Sequence, residues 1–256
     1  MSVYTTEIAS DQIPSDNPIH QRLLKAYHVA IPFIQGDLLE LGCGEGRGVE
    51  LLAPKATSYL GLDKIQGVID HLSEKYPQYQ FESSVFPPFK LPDNSFDTIV
   101  TFQVIEHIKE DALFLEEIHR VLKPGGTALI STPNNKQTLS RNPWHEREYI
   151  AEELTALASK YFDHVEMKGI GMSERMTEYH EQNRVSVNKI MRWDVLDLQH
   201  RLPAALLRLP YEFLNRRNRN KLQNQSNDLV LSINQDDFYL NDVDDQNVDL
   251  FLIVKK

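Results

Sequence analysis

The sequence is poor in cysteine, because Cys43 is the only one among its 256 residues. One cysteine can neither close a disulfide within the chain nor form a cysteine cluster for a metal, and this scarcity fits a reducing compartment. No apolar run approaches the roughly 20 residues that a membrane-spanning helix needs. Residues 1–20 have neither the basic start nor the apolar stretch of a signal peptide, so they do not resemble one. We therefore expect a cytoplasmic protein.

Positive charge is also scarce. The chain has 27 Lys and Arg against 37 Asp and Glu, a formal net charge of −10, which argues against nucleic acid as a partner. Hydrophobic residues make up 41% and charged residues 25%, which is typical of a globular protein with a real core.

Short apolar runs alternate with amphipathic segments along most of the chain. Strands are predicted at 38–41, 58–62, 79–82, 96–102, 127–131, 164–168 and 250–254. Helices are predicted at 19–31, 47–53, 66–75, 111–122 and 148–161. Such alternation favours a parallel sheet with helices on both faces.

A segment of different character, residues 170–247, interrupts this alternation. Residues 187–202 place apolar side chains at helical spacing, which we interpret as core packing. Residues 203–214 are apolar and predicted helical, and residues 215–227 are rich in Asn, Arg and Gln and predicted to be exposed. We expect one domain over 1–256, with a core of 18–169 and 248–256 and a helical lid insertion at 170–247.

A glycine-rich loop, residues 40–48 (ELGCGEGRG), joins a predicted strand to a predicted helix. Glycines in such a place let a ligand approach the backbone closely. The dinucleotide fingerprint requires a third glycine where this chain has Arg47, and no Gly-Lys-Ser/Thr follows as in a P-loop. A tight turn without a ligand is the alternative.

Asp63 ends the next predicted strand, about twenty residues beyond the loop, where folds of this kind place an acid for ribose hydroxyls. A carboxylate can accept hydrogen bonds from two vicinal hydroxyls. The alternative is a helix N-cap.

Further motifs follow in a fixed order: 59–63 (YLGLD), 91–99 (LPDNSFDTI), 104–108 (VIEHI) and 121–126 (VLKPGG). Together with the loop, they resemble class I S-adenosylmethionine-dependent methyltransferases, particularly the type 11 group. The resemblance covers about residues 20–170 and the closing strand. It implies a Rossmann-like, doubly wound, mostly parallel seven-stranded sheet with an antiparallel last strand.

The resemblance also implies a cofactor, S-adenosyl-L-methionine, and the residues that hold it. Gly42 and Gly44 would face its methionine part and ribose, and Glu40 would hold the loop or the amino group. The full expected set is Glu40, Gly42, Cys43, Gly44, Asp63, Lys64, Ser83, Ser84, Val85 and Gln103. Ser83 stands where the family often has an acid for the adenine, and a hydroxyl accepts a hydrogen bond less strongly than a carboxylate.

Methyl transfer from a sulfonium mainly requires that the acceptor be positioned, and a base is needed only if the acceptor loses a proton. His107 and His145 are the candidate bases; each also has a structural interpretation, as a support for the following helix. His145 lies in 142–149 (NPWHEREY), which resembles a segment of methyltransferases that act on sugars, lipids or quinones. We expect no metal site.

Arg208, Arg216, Arg217, Arg219 and Lys221 form a basic cluster in this acidic chain. We interpret it as a solvated surface. The alternative is contact with an anionic acceptor or a membrane surface, because residues 204–214 beside it are apolar.

The sequence thus predicts an enzyme that methylates a small molecule such as a sugar, lipid or quinone precursor. A non-catalytic protein that binds the same cofactor or a partner is the main alternative. An NAD-dependent oxidoreductase is disfavoured by Arg47 and by the later motifs. The acceptor, the methylated atom and the oligomeric state are not predicted.

Overall fold

One mixed sheet of eight strands organises residues 13–256, the part of the chain that this computed structural model describes. The strands are β1 Asp37–Leu41, β2 Ser58–Asp63, β3 Gln80–Ser83, β4 Phe96–Phe102, β5 Leu122–Pro133, β6 His164–Met172, β7 Phe238–Asp242 and β8 Asp249–Lys255. Their order across the sheet is β3-β2-β1-β4-β5-β8-β6-β7. Strands β1 to β5 pair in parallel, whereas β8 runs antiparallel to both β5 and β6.

Helices cover both faces of this sheet. They are α1 Asn17–Ala30, α2 Val49–Leu52, α3 Gln66–Lys75, α4 Asp111–Val121, α5 Ala151–Ala158, α6 Glu174–Met191, α7 Leu198–Arg201, α8 Ala204–Gln225 and α9 Asn227–Ser232. Leu38 lies in the core beneath α1 to α3, and its neighbour Leu39 lies in the core beneath α4 and α5. Successive strand residues point to opposite faces, so a strand covered on both sides must be apolar throughout.

The Rossmann-like, mostly parallel fold is confirmed, but the sheet has eight strands where the resemblance implied seven. The additional strand, β7, lies inside the 170–247 segment and pairs antiparallel with β6 at the edge of the sheet. Its first residue, Phe238, is buried, while Tyr239 and Leu240 are exposed. Because these three apolar residues stand among aspartates and asparagines, their sequence gave no clear strand signal.

Element boundaries agree closely in the first half of the chain. Helix 66–75 and strand 96–102 are observed at the predicted residues. The strand predicted at 127–131 is longer, however. It includes the Pro-Gly-Gly segment, because Leu122 pairs with Phe96 across an irregularity in the β4–β5 register.

The segment between β6 and β7 forms four helices and is fastened to the start of the chain. Asp16 is fully buried and accepts hydrogen bonds from Arg216 at 2.7 Å and Arg219 at 3.0 Å, both on α8. The prediction that 215–227 is exposed is therefore wrong in part, since Arg219 and Leu222 are buried. The helix places them on the side that faces the domain.

The interpretation of residues 187–202 as core packing is also wrong in part. Val195 is 85% exposed and Leu198 is 42% exposed, and the chain between them forms a turn outside helix α6. The apolar residues between 187 and 202 are spaced as on one face of a helix, but they do not form one buried helix. Among residues 13–256, none of the helices is both long enough and apolar enough to cross a membrane.

Candidate cofactor and acceptor site

The carboxyl ends of four parallel strands form one edge of the sheet. Because β3, β2, β1 and β4 are neighbours in that order, the loops that follow them lie side by side. The register places Leu41 opposite Leu62, and Asp63 opposite Ser83. This edge is where open α/β sheets bind their ligands.

Two glycines of the loop after β1 have different surroundings. Gly42 donates its N–H to the Leu62 carbonyl at 2.7 Å, and a Cβ on Gly42 would lie 2.4 Å from Val104 Cγ2. Gly44 has a φ of +49°, and a Cβ there would meet no protein atom within 4 Å. Gly42 thus allows tight packing of the loop, whereas Gly44 faces open space that a ligand can enter.

Asp63 fastens this loop from the neighbouring strand. Its Oδ2 accepts a hydrogen bond from the Gly44 N–H at 3.0 Å, and its Oδ1 accepts one from the Ile65 N–H at 3.0 Å. Each carboxylate oxygen has a further lone pair, so the same side chain can also accept hydrogen bonds from ribose hydroxyls. The structure places Asp63 beside the loop, as the sequence spacing suggested.

Glu40 is buried beneath the loop. It accepts hydrogen bonds from the hydroxyls of Tyr27 at 2.9 Å and Tyr59 at 2.6 Å. Burial raises the pKa of Glu40 to about 7, although both tyrosines oppose the shift. These contacts favour the loop-holding role for Glu40. Neither tyrosine was predicted from the sequence, because an apolar-facing tyrosine gives no signal of what its hydroxyl contacts.

Cys43 belongs to the loop through its backbone. Its N–H donates to the Leu62 carbonyl at 3.0 Å, and its side chain is buried. Burial raises the pKa of the Cys43 thiol well above its usual value. A thiol held in its neutral form is a weak nucleophile, so Cys43 contributes shape and not reactivity.

The loop after β3 forms the next part of this edge. Ser84 donates its N–H to the Asp63 carbonyl at 2.9 Å, and Val85 is 81% exposed. Lys64 and Ser83 are exposed beside them. An exposed apolar side chain next to solvated polar groups can cover one face of an adenine ring, while Ser83 supplies only a hydroxyl.

Gln103 closes the edge after β4. Its φ is +58°, and its Nε2 donates to Asp249 Oδ1 at 3.2 Å. Asp249 also accepts a hydrogen bond from Arg22 Nε at 2.8 Å. The pair of Asp249 and Arg22 was missed in the sequence; the available signal was an acid at the start of the last apolar run.

His107 and His145 lie next to each other, with ring centroids 4.9 Å apart. His107 Nδ1 lies 2.9 Å from the Trp144 carbonyl oxygen, so its N–H donates there and its basic lone pair is on Nε2. Burial, together with the neighbouring His145, lowers the pKa of His107 to about 4. His107 is therefore neutral near pH 7, as a base must be.

His145 is held at both ring nitrogens. Its Nδ1 lies 2.7 Å from Glu148 Oε1, and its Nε2 lies 2.8 Å from Asn142 Nδ2. The Asn142 oxygen in turn accepts the Trp144 N–H, so the amide nitrogen of Asn142 donates to His145. His145 is thus oriented by its own loop and supports the position of His107.

Glu106, His107 and His145 place potential metal-ligand atoms within 4.8 Å of one another, the one such group in the described part of the chain. Glu106 is buried, its Oε2 accepts a hydrogen bond from Thr132 at 2.9 Å, and burial raises its pKa to about 7. A buried carboxyl with a raised pKa, hydrogen-bonded to Thr132, and a histidine bonded at both ring nitrogens explain this group without an ion. The expectation of no metal site stays a prediction.

An open pocket of about 370 Å³ lies beside His145. It is lined by the loop after β5 and by Gln199 and His200 of α7. Arg141 of the loop donates to the Gln199 carbonyl at 2.7 Å, and the ring centroids of Trp144 and Tyr211 are 5.8 Å apart. Helix α7 thus forms one wall of the pocket beside His145, and α8 packs against the loop that carries His145.

Comparisons with known proteins agree with this geometry. Residues 39–130 match the family model described as a methyltransferase domain. A probable S-adenosylmethionine-dependent methyltransferase of Mycolicibacterium smegmatis is 43% identical over 126 residues, which is 47% of this chain and 49% of that protein. A ubiquinone biosynthesis O-methyltransferase of Mus musculus is 30% identical over 131 residues, 46% of this chain and 35% of that protein.

Half or more of each of these relatives lies outside the match, because the chain spans at most about half of their length. A solved structure from Thermotoga maritima, a possible histamine N-methyltransferase, covers 93% of this chain and 91% of its own. Its TM-score is 0.57 at 14% sequence identity, so it supports the fold. The family-model match, residues 39–130, contains most of β1, all of β2 to β4 and the loops that follow these strands.

Proposed function

We propose, given that residues 39–130 belong to the class I S-adenosylmethionine-dependent methyltransferase family, that this chain transfers a methyl group to a small-molecule acceptor. The observation that carries the proposal is the loop after β1. Gly44 faces open space there while Asp63 holds its backbone from the next strand. A ribose placed on that loop has both close backbone approach and a carboxylate within reach.

S-adenosylmethionine is the cofactor of this family, and when bound it supplies an activated methyl group on a sulfonium. In our proposal Asp63 accepts the ribose hydroxyls, and the backbone of Gly42, Cys43 and Gly44 lies along the methionine part. Lys64, Ser83, Ser84 and Val85 contact the adenine. Gln103, fixed by Asp249, borders the methionine end.

The acceptor binds beside the histidine pair, between the loop after β5 and the insertion helices. His107 takes the proton that a hydroxyl acceptor loses as its oxygen is methylated, because its ring is neutral with the lone pair on Nε2, although its low pKa makes it a weak base. His145 positions His107 and the acceptor. The ubiquinone-pathway relative supports an oxygen acceptor of the quinone-precursor class, with sugars and lipids as the other candidates.

The test is formation of S-adenosylhomocysteine when the chain is incubated with S-adenosylmethionine and the small-molecule fraction of a cell extract. We expect product that depends on the fraction and falls at least about tenfold in Asp63→Ala, because a charged hydrogen-bond acceptor is lost. The matched control is Asp70→Ala, an exposed aspartate on α3 that contacts Gln66. No product with the wild-type chain would contradict the proposal.

A second candidate is a protein that binds the cofactor without methyl transfer. The observation that favours it is Ser83, which offers no carboxylate to the adenine and so weakens one contact of the family pattern. Tight binding of S-adenosylmethionine with no turnover in any fraction would support this candidate. An NAD-dependent activity is disfavoured by the family match, and saturable NAD(H) binding in place of S-adenosylmethionine binding would reverse that ranking.

A further inference from the structure

An exposed apolar surface lies on the insertion. Eight of the large apolar side chains that the described residues expose fall between 193 and 214, so they are clustered and not scattered. They are Trp193, Val195, Leu196, Leu198, Leu206, Leu209, Phe213 and Leu214. A concentration of exposed large apolar side chains indicates an interaction site, whereas single exposed apolar residues need no explanation.

Helix α8 arranges part of this surface as a stripe. Leu206, Leu209 and Phe213 are separated by three and four residues, so they share one face of the helix. Arg217 and Lys221 continue the same spacing and are exposed, so the stripe changes from apolar to basic towards the end of the helix. We call the whole surface, residues 193–214 with Arg217 and Lys221, the apolar-basic face.

The charge of this region is opposite to that of the molecule. Residues 192–225 contain seven Lys and Arg but three Asp and Glu, while the chain as a whole has a formal net charge of −10. Arg216 and Arg219 are used internally by Asp16. Arg192, Arg201 and Arg208 are exposed around the apolar residues, in addition to the two basic residues on the stripe.

We propose that the apolar-basic face docks on an anionic phospholipid surface. The apolar stripe and an exposed tryptophan enter the headgroup region, and the surrounding arginines and lysine contact the phosphates. A purely apolar protein partner would not require the basic rim. A second copy of this acidic chain would supply negative charge. It would not supply an apolar layer directly beneath that charge, as a phospholipid surface does for the leucine and phenylalanine side chains.

The apolar-basic face adjoins the acceptor pocket. Residues 193–198 of this face lead directly into Gln199 and His200, which line the pocket. On the inner side of α8, opposite the stripe, Tyr211 contacts Trp144 of the loop that holds His145, and the guanidinium carbon of Arg208 lies 5.9 Å from the Trp144 ring centre. Arg141 bonds the carbonyl of Gln199. Docking therefore brings the pocket to the membrane surface, and the acceptor is then a membrane-borne amphiphile, an extension that rests on the proposed function.

The test is co-sedimentation of the full chain with vesicles of phosphatidylcholine alone or mixed with phosphatidylglycerol. We expect binding to the mixed vesicles and its loss at high salt, which screens exposed charges. The double variant Arg217→Glu/Lys221→Glu should weaken binding at least about tenfold, because each basic residue near an anionic surface contributes several-fold. Trp193→Ser/Phe213→Ser should weaken it comparably through lost apolar burial.

Matched controls separate local from general effects. Lys55→Glu/Lys90→Glu makes the same charge change on exposed residues elsewhere, and Leu231→Ser removes an exposed apolar residue outside the face. Both controls should bind as the wild type does. Equal binding to neutral vesicles, or no effect of the face variants, would overturn the proposal.

Self-association is the remaining outcome to measure. A dimer that the face variants dissociate, with no vesicle binding by the wild-type chain, would overturn the proposal and assign the face to a second copy. Titration of each variant with S-adenosylmethionine separates the two claims. Vesicle binding without cofactor binding would contradict only the proposed function, and cofactor binding without vesicle binding would contradict only the docking.

Discussion

Gly42 and Gly44 stand two residues apart in one loop, yet the structure gives them separate roles. A Cβ at Gly42 would lie 2.4 Å from the short, branched side chain of Val104, which has little freedom to move. A Cβ at Gly44 would meet only the space that the cofactor is proposed to fill. Alanine at Gly42 should therefore mainly reduce stability, whereas alanine at Gly44 should mainly reduce cofactor binding.

We predict that Gly42→Ala lowers the free energy of unfolding by about 2–4 kcal/mol, from overpacking added to an unfavourable positive φ. Gly44→Ala should cost only about 1 kcal/mol, for its φ alone, but weaken S-adenosylmethionine binding. Urea unfolding and calorimetric titration measure the two effects. Equal losses of stability would show that the open space at Gly44 is not there.

His107 leads to a prediction about pH. Its pKa in the folded chain is lowered to about 4, while an unfolded histidine titrates near 6.5. As the pH falls, the unfolded state takes up the proton first, so stability is lost between about pH 6.5 and 4. His107 should account for about 1–2 kcal/mol of the fall in the free energy of unfolding between pH 7 and pH 5.

The measurement compares urea unfolding at pH 7 and pH 5. The fall in stability should be smaller in His107→Gln by that amount, whereas the exposed control His71→Gln should keep the wild-type fall. An unchanged fall in His107→Gln would mean that the ring is not buried as neutral imidazole, and a role as base would lose its support.

The residues that the sequence identified are those whose roles depend on the backbone and on position after a strand. Gly42, Asp63 and Gln103 are brought to one edge because parallel neighbours end together. The partners that hold them were not predictable. Tyr59 looks like any buried strand residue until its hydroxyl is placed 2.6 Å from Glu40, and that contact depends on side-chain packing across the sheet.

Helix α8 is held against the start of α1 by one buried carboxylate. Asp16 has no exposed surface and accepts hydrogen bonds from Arg216 and Arg219. Removing the carboxylate takes a buried partner from Arg219, which is itself buried, and from the partly exposed Arg216. Breaking a buried ion pair in this way typically costs about 3–5 kcal/mol. The contact joins the start of α1 to the insertion.

We therefore predict that Asp16→Ala lowers the free energy of unfolding by about 3 kcal/mol or unfolds α8 locally. Hydrogen exchange would show the local case as faster exchange of α8 amides with β1 and β4 unchanged. The control Asp228→Ala removes an exposed aspartate from α9 and should be within about 0.5 kcal/mol of the wild type. An unchanged free energy of unfolding in Asp16→Ala would mean that the arginines do not depend on Asp16 for their position.

Elements were predictable where burial on one face repeats with a clear period. Helix α3 was predicted at its observed residues because Val68, Ile69 and Leu72 mark one side. The insertion was less predictable, because many apolar residues at 193–214 are exposed. A periodic pattern does not show which side of a helix faces solvent. Strand β7 pairs only along one edge and needs few apolar residues to form.

At the scale of the whole molecule, the sheet places the proposed cofactor site and acceptor site at the same edge. The glycine loop, Asp63 and Gln103 form one half, and the histidine pair with the insertion helices forms the other. Net charge also divides, because the stretch 192–225 is basic within an acidic chain. The family resemblance anticipated the first half and His107, whereas His145 and the insertion helices lie outside the matched segment 39–130.

The most direct test of the central claim is calorimetric titration of the chain with S-adenosylmethionine. We predict saturable binding of one cofactor per chain, weakened about 10- to 100-fold by Asp63→Ala and unchanged by Asp70→Ala, because only Asp63 offers a carboxylate to the ribose. No binding by the wild-type chain, or equal binding by Asp63→Ala, would contradict the account.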